Sequence, residues 1–187
     1  LFSASMLDDM KDDCPANKVP ALIDGDIQVW DTLAICEYIN EHYIDGKGWP
    51  KDKKQKAKAR SVVCEMHSGF FGIRNELPMN LRRPLEVVKN EDLSEQALKD
   101  IVRMCDIWFE CLTHQDNKNG FLFNDFSIAD AMFFPVVSRF NTYGISIAPT
   151  QKDVIKDYMD KMLSLPVFLK WQEDALKEVE VIEEDER

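Results

Sequence analysis

The run Val19-Pro20-Ala21-Leu22-Ile23-Asp24-Gly25-Asp26-Ile27-Gln28-Val29-Trp30-Asp31-Thr32-Leu33-Ala34-Ile35-Cys36-Glu37-Tyr38-Ile39 carries the fold. Two apolar, β-prone runs flank Asp24-Gly25, and a glycine open to positive φ makes that pair a strong hairpin signal. A hairpin over residues 21–30 is therefore predicted. A helix follows at once. Asp31 or Thr32 can cap it, and Ile35, Tyr38, Ile39 and His42 recur at helical spacing. On its residue type alone, Pro20 opens an edge strand, because proline brings no N–H to a ladder.

Two strands and one helix do not make a stable domain in water. Either strands lie upstream or the hairpin packs on the rest of the chain. Residues 1–17 are polar and acidic, with Pro15 and Asn17 as breakers, and predict at best a short irregular helix ending near Cys14. On the other side, Gly46-Lys47-Gly48-Trp49-Pro50 ends the helix and opens a linker. Beyond it the pattern is helical throughout. Residues 52–77 carry one stripe, Val63, Met66, Phe70, Ile73 and Leu77. Residues 93–113 carry another, Leu98, Ile101, Cys105, Trp108 and Leu112. Further helices are predicted from Ser127, over residues 152–163, and from Pro166 until about Val179. Ser127-Ile128-Ala129-Asp130 is a capping box, with Phe126 and Ala131 placed as a hydrophobic staple. The expected division is a partial α/β domain over residues 1–45, a linker at 46–51, an all-helical domain over 52–179, and an acidic tail at 180–187.

The 187 residues carry a net charge of −11, with ten acidic and three basic side chains in residues 1–50. Such a surface argues against nucleic acid as a direct partner. Five cysteines, none in a CxxC pair, read as free thiols of a reducing compartment, and Cys36, Cys64, Cys105 and Cys111 fall among apolar helical neighbours. His42, His67 and His114 have no ligand spacing to a cysteine, so no metal site is expected. The longest apolar run surrounds Pro135 and is too short to span a membrane. A cytoplasmic protein is the expectation.

Lys18-Val19-Pro20, the strand–Asp-Gly–strand, Asp31-Thr32 and Ala34-Ile35-x-x-Tyr38 together resemble the glutathione-binding half of cytosolic glutathione transferases. The resemblance continues through Gly48-Trp49-Pro50, Glu65-Met66-His67-Ser68-Gly69-Phe70, Leu77-Pro78-Met79-Asn80 and Phe126-Ser127-Ile128-Ala129-Asp130, which look like a bacterial group of that superfamily. It implies a thioredoxin-like α/β N-terminal domain, cut short at its start, and an all-α C-terminal domain. It implies glutathione as co-substrate and a homodimer, the first domain of one subunit lying against the helical domain of the other.

The resemblance also assigns roles. Val19, before a cis Pro20, offers its N–H and C=O to the cysteinyl backbone of glutathione. Thr32, where the family usually has Ser, donates to the γ-glutamyl carboxylate at a helix N-terminus, where anions are favoured. Asp31 faces the γ-glutamyl amine, and Lys18 the glycyl carboxylate. Plain helix capping by Asp31 and Thr32 is compatible with these roles. Met66, His67, Phe70 and Arg74 are candidates for an electrophile pocket, although a Met and aromatic stripe is also what a core needs. The family activates the glutathione thiol, otherwise only a few per cent thiolate at neutral pH, with a Ser, Tyr or Cys after its first strand. That position is expected upstream of Leu1. The implied activity is addition of the glutathione thiolate to small hydrophobic electrophiles, as in detoxification. A glutathione-dependent reductase or peroxidase, and a non-enzymatic binding protein on the same fold, stay open.

Overall fold

The structure, a computed structural model, describes residues 14–183 and Glu186. The expected helix ending near Cys14 lies outside the described residues. The chain forms two compact units that divide between Trp49 and Pro50.

In the first unit, β1 (Ala21–Asp24) and β2 (Ile27–Trp30) pair antiparallel, with Ala21 opposite Trp30 and Asp24 opposite Ile27. The turn is therefore Gly25-Asp26, one residue later than the Asp24-Gly25 centre expected. Gly25 has φ +59° and Asp26 is not in the positive-φ region. Glycine at the first central position is what a type II′ turn requires. Helix α1 (Thr32–His42) starts directly after β2 and packs on the hairpin. One carboxylate ties the two together: Asp24 Oδ2 accepts from Tyr38 Oη at 2.7 Å and from Tyr43 Oη. At the far end, buried Asn40 accepts from Gly46 N–H through its carbonyl and from Gly48 N–H through Oδ1, both at 2.7 Å. Trp49 is buried and donates Nε1–H to Glu37. The Gly-Lys-Gly-Trp segment is thus built into the first unit. Among the described residues the sheet has two strands, and Ile23, Ile27 and Trp30 remain nearly half exposed.

The second unit is helical. Asp52 caps α2 (Lys53–Ser68), accepting from the N–H groups of Lys54 and Gln55. The single stripe expected through residues 52–77 is interrupted. Gly69 is extended, Phe70 is left-handed at φ 61°, and a separate short helix α3 (Phe71–Glu76) begins. The cause lies on α4 (Glu95–Leu112), whose buried Asp100 accepts from the N–H groups of Gly72 (2.9 Å) and Ile73 (3.3 Å). A carboxylate from another helix thereby caps α3.

A one-turn 3₁₀ helix, Asn90–Asp92, leads to α4, whose Ser94 cap accepts from Ala97 N–H. Its buried face runs through Ala97, Ile101, Met104, Cys105, Trp108 and Cys111, while Leu98 and Leu112 sit at its margins. Central helix α5 (Ile128–Thr142) is buried nearly all round, as an interior helix must be. Helix α6 (Lys152–Leu163) matches the expected span, and α7 (Pro166–Ala175) ends before Val179. Trp108 anchors the core, its ring centroid 5.1 Å from that of Phe140 and 5.5 Å from that of Tyr158.

Beneath α5 the capping box forms. Fully buried Asp130 accepts from Ser127 N–H and Oγ–H and, through its other oxygen, from Leu122 N–H. The staple does not form: Phe126 sets its ring edge-on to Phe121, and Ala131 is exposed. Among the cysteines, Cys14, Cys105 and Cys111 are buried, Cys36 is half-buried and Cys64 is exposed; all are free thiols. No described helix is long and apolar enough to cross a membrane.

Candidate glutathione site

Strand register places the sequence-derived residues together. Because Ala21 pairs with Trp30, Pro20 and Asp31 leave the same end of the hairpin as next-door neighbours. Val19 precedes Pro20 through a cis peptide and is exposed. Lys18, also exposed, precedes it, and its carbonyl accepts from the buried Cys14 thiol at 3.1 Å. Thr32 follows Asp31 as the first residue of α1 and is half-buried. Lys18, Val19, Pro20, Asp31 and Thr32 therefore converge on one rim, built from β1, β2 and the start of α1.

Asp31 sits at φ 75°, a region that non-glycine residues avoid and that costs of order 1–3 kcal/mol. In that conformation its Oδ1 accepts from Leu33 N–H at 2.9 Å and Ala34 N–H at 3.3 Å. This modifies the expectation of open helix-end donors, since two of them are spent on the cap. The Thr32 hydroxyl has no hydrogen-bond partner among the described residues.

The second set does not gather in the same way. Met66 is buried in the helical unit. Arg74 folds back over the α2–α3 corner, with Nη2 donating to Met66 O at 2.8 Å and Nε donating to Gly69 O at 3.0 Å. Its guanidinium closes the end of α2, where carbonyls lack helical partners. His67 is half-buried, and Phe70 occupies the left-handed corner. These four residues build a corner. Sequence periodicity missed a cavity of about 220 Å³ at the opposite end of α2, bounded by Lys54, Lys58, Cys111, His114, Leu122 and Phe123. Half of that wall is an irregular loop, so no periodic signal marks it.

A model of the glutathione S-transferase N-terminal domain matches residues 3–41, and one of the C-terminal domain matches residues 91–171. The chain belongs to the glutathione transferase superfamily. The probable maleylacetoacetate isomerase of Caenorhabditis elegans is 24% identical over 90% of this chain and 76% of its own length. Among solved structures, a bacterial maleyl pyruvate isomerase of the zeta class superposes with TM-score 0.66 at 20% identity, covering 95% of this chain and 84% of that one. A Burkholderia glutathione transferase homolog with bound glutathione superposes with TM-score 0.62 at 18% identity, covering 89% and 77%. The transferase fold, an α/β thioredoxin-like unit followed by a helical one, is the fold of this chain.

Proposed function

We propose that this protein is a glutathione-dependent enzyme that binds the tripeptide at the hairpin rim and adds its thiolate to small hydrophobic electrophiles. The observation that supports this most is the register-enforced meeting of Val19-Pro20 with Asp31-Thr32. An extended peptide ligand needs main-chain pairing, which exposed Val19 offers. Its γ-glutamyl carboxylate needs a donor, which Thr32 Oγ–H supplies. The Asp31 carboxylate faces the ligand's ammonium group, and Lys18 its glycyl carboxylate. A donor–carboxylate bond is charge-assisted and contributes about 1.5–3 kcal/mol. Thr32→Ala should then weaken glutathione binding by roughly ten- to a hundred-fold. Calorimetric titration of glutathione into both proteins tests this, and equal affinities would remove the assignment. We take the enzyme to work in the cytoplasm as a homodimer.

A second reading is favoured by the similarity to maleylacetoacetate isomerase. In it the thiolate adds to a carbon–carbon double bond, the resulting single bond rotates, and the thiolate leaves. Isomerisation returns glutathione unchanged, whereas conjugation consumes it one for one. Counting free thiol during turnover of a maleyl-type substrate and of an aryl halide separates the two.

A further inference from the structure

Lys18 and Val19 share one peptide unit, and the rim uses one half of it. The unit is planar and trans, since the cis bond among the described residues is Val19-Pro20. Its C=O belongs to Lys18 and its N–H to Val19, and in a trans peptide the two point in opposite directions. Whatever holds the carbonyl therefore aims the amide.

Cys14 holds the carbonyl. Its Sγ–H donates to Lys18 O at 3.1 Å. The chain between them turns back on itself. Asn17 N–H donates to Cys14 O at 2.9 Å, which closes a β-turn with Pro15 at its second position, where the fixed φ of proline is favoured. Asn17 follows at φ 51°, in the left-handed region that asparagine tolerates better than most residues. That reversal brings the Lys18 carbonyl onto the side chain of the residue that opened the turn. The main chain and the thiol of Cys14 thus close the same loop.

A thiol is a weak donor, but Cys14 is 0% exposed, so water does not compete at its sulfur. A carbonyl deprived of its partner there loses free energy comparable to a hydrogen bond. On the other side of the peptide, Val19 is 56% exposed, and its N–H has no acceptor among the described residues. The carbonyl is anchored inward and the amide is presented outward. Donation to the carbonyl also polarises the peptide, which makes the Val19 N–H a better donor.

We propose that Cys14 is a positioning residue for glutathione: its thiol fixes the Lys18–Val19 peptide so that the Val19 N–H meets the cysteinyl backbone of the ligand. This rests on the rim as the glutathione site. The test is calorimetric titration of glutathione into the full chain and its Cys14→Val and Cys14→Ser variants, with the Val19 amide resonance followed in each. Cys14→Val removes the donor and keeps an apolar side chain. It should weaken glutathione binding by about two- to ten-fold, the range of one intramolecular hydrogen bond, and should move the Val19 resonance of the free protein. Cys14→Ser keeps a donor to the Lys18 carbonyl and should recover most of the lost affinity. Cys14→Ala, which cannot overpack, repeats the Cys14→Val measurement should that variant fold poorly. Three results would overturn the inference. If Thr32→Ala weakens glutathione binding and Cys14→Val does not, the rim stands and Cys14 has no part in it. If neither variant weakens binding, the rim itself is not the glutathione site and Cys14 positions nothing for it. If Cys14→Ser binds as weakly as Cys14→Val, the hydrogen bond is not what aims the amide.

Discussion

At the scale of single residues, carboxylates do most of the organising. Asp24, Asp31, Asp52, Asp100 and Asp130 each collect two or more donors. Asp130 differs in being fully buried. Burial raises its pKa from 3.8 to about 6, although hydrogen bonds from Leu122 and Ser127 pull it back. A carboxyl group whose pKa is raised on folding favours the folded state fully below its unfolded value. That contribution disappears as pH climbs through the folded value. Asp130 should therefore cost the protein roughly 2 kcal/mol between pH 4 and pH 7. Asp130→Asn removes the titration and replaces it with a pH-independent loss of acceptor geometry. Urea melts of both proteins at pH 4, 5, 6 and 7 should show the wild type losing stability relative to the variant as pH rises; parallel profiles would mean that Asp130 is ionised in the fold at no penalty.

At the scale of elements, the corner between α2 and α3 is tightly packed on α4. Gly72 lies directly on the start of α4. A Cβ there would meet Ala97 N at 2.6 Å and Ala97 Cα at 2.8 Å. Both are backbone atoms, so relief requires moving a helix and not turning a side chain. Gly72→Ala should destabilise by about 2 kcal/mol or more, the usual cost of overpacking, despite the higher helix propensity of alanine. Denaturant midpoints measure this, and an unchanged midpoint would show that α3 shifts freely on α4. The same corner explains why the α2 stripe stops. Its apolar spacing continues through Phe70, Ile73 and Leu77, but Asp100 captures the first amides of a new helix.

At the scale of the whole molecule, the first unit presents Ile23, Ile27, Trp30 and Ile39 to solvent within a short stretch. Ile23 and Trp30 share one face of the hairpin and Ile27 lies on the other, and an isologous twofold is the commonest way for one chain to cover exposed apolar side chains with a second copy. The protein should sediment as a dimer of the 21.7 kDa chain at micromolar concentration. A species of 21.7 kDa under those conditions would refute the homodimer.

Whatever depends on neighbours along the chain is legible in the amino-acid sequence by itself. The hairpin, the helix that follows it, and the Ser127–Asp130 box are each specified within a few residues, by turn chemistry and capping. The five rim residues come from the resemblance to glutathione transferases; the hairpin register accounts only for why Val19-Pro20 and Asp31-Thr32 meet at one end. What the tertiary structure alone decided depends on atoms far apart in the chain. The break at Gly69-Phe70 is set by Asp100, 28 residues beyond Gly72. The cavity arises where the first turns of α2, the end of α4 and a loop pinned by Asp130 fail to fill the space between them. No local pattern encodes an unfilled volume, because it is a property of three segments packed together and of none of them alone.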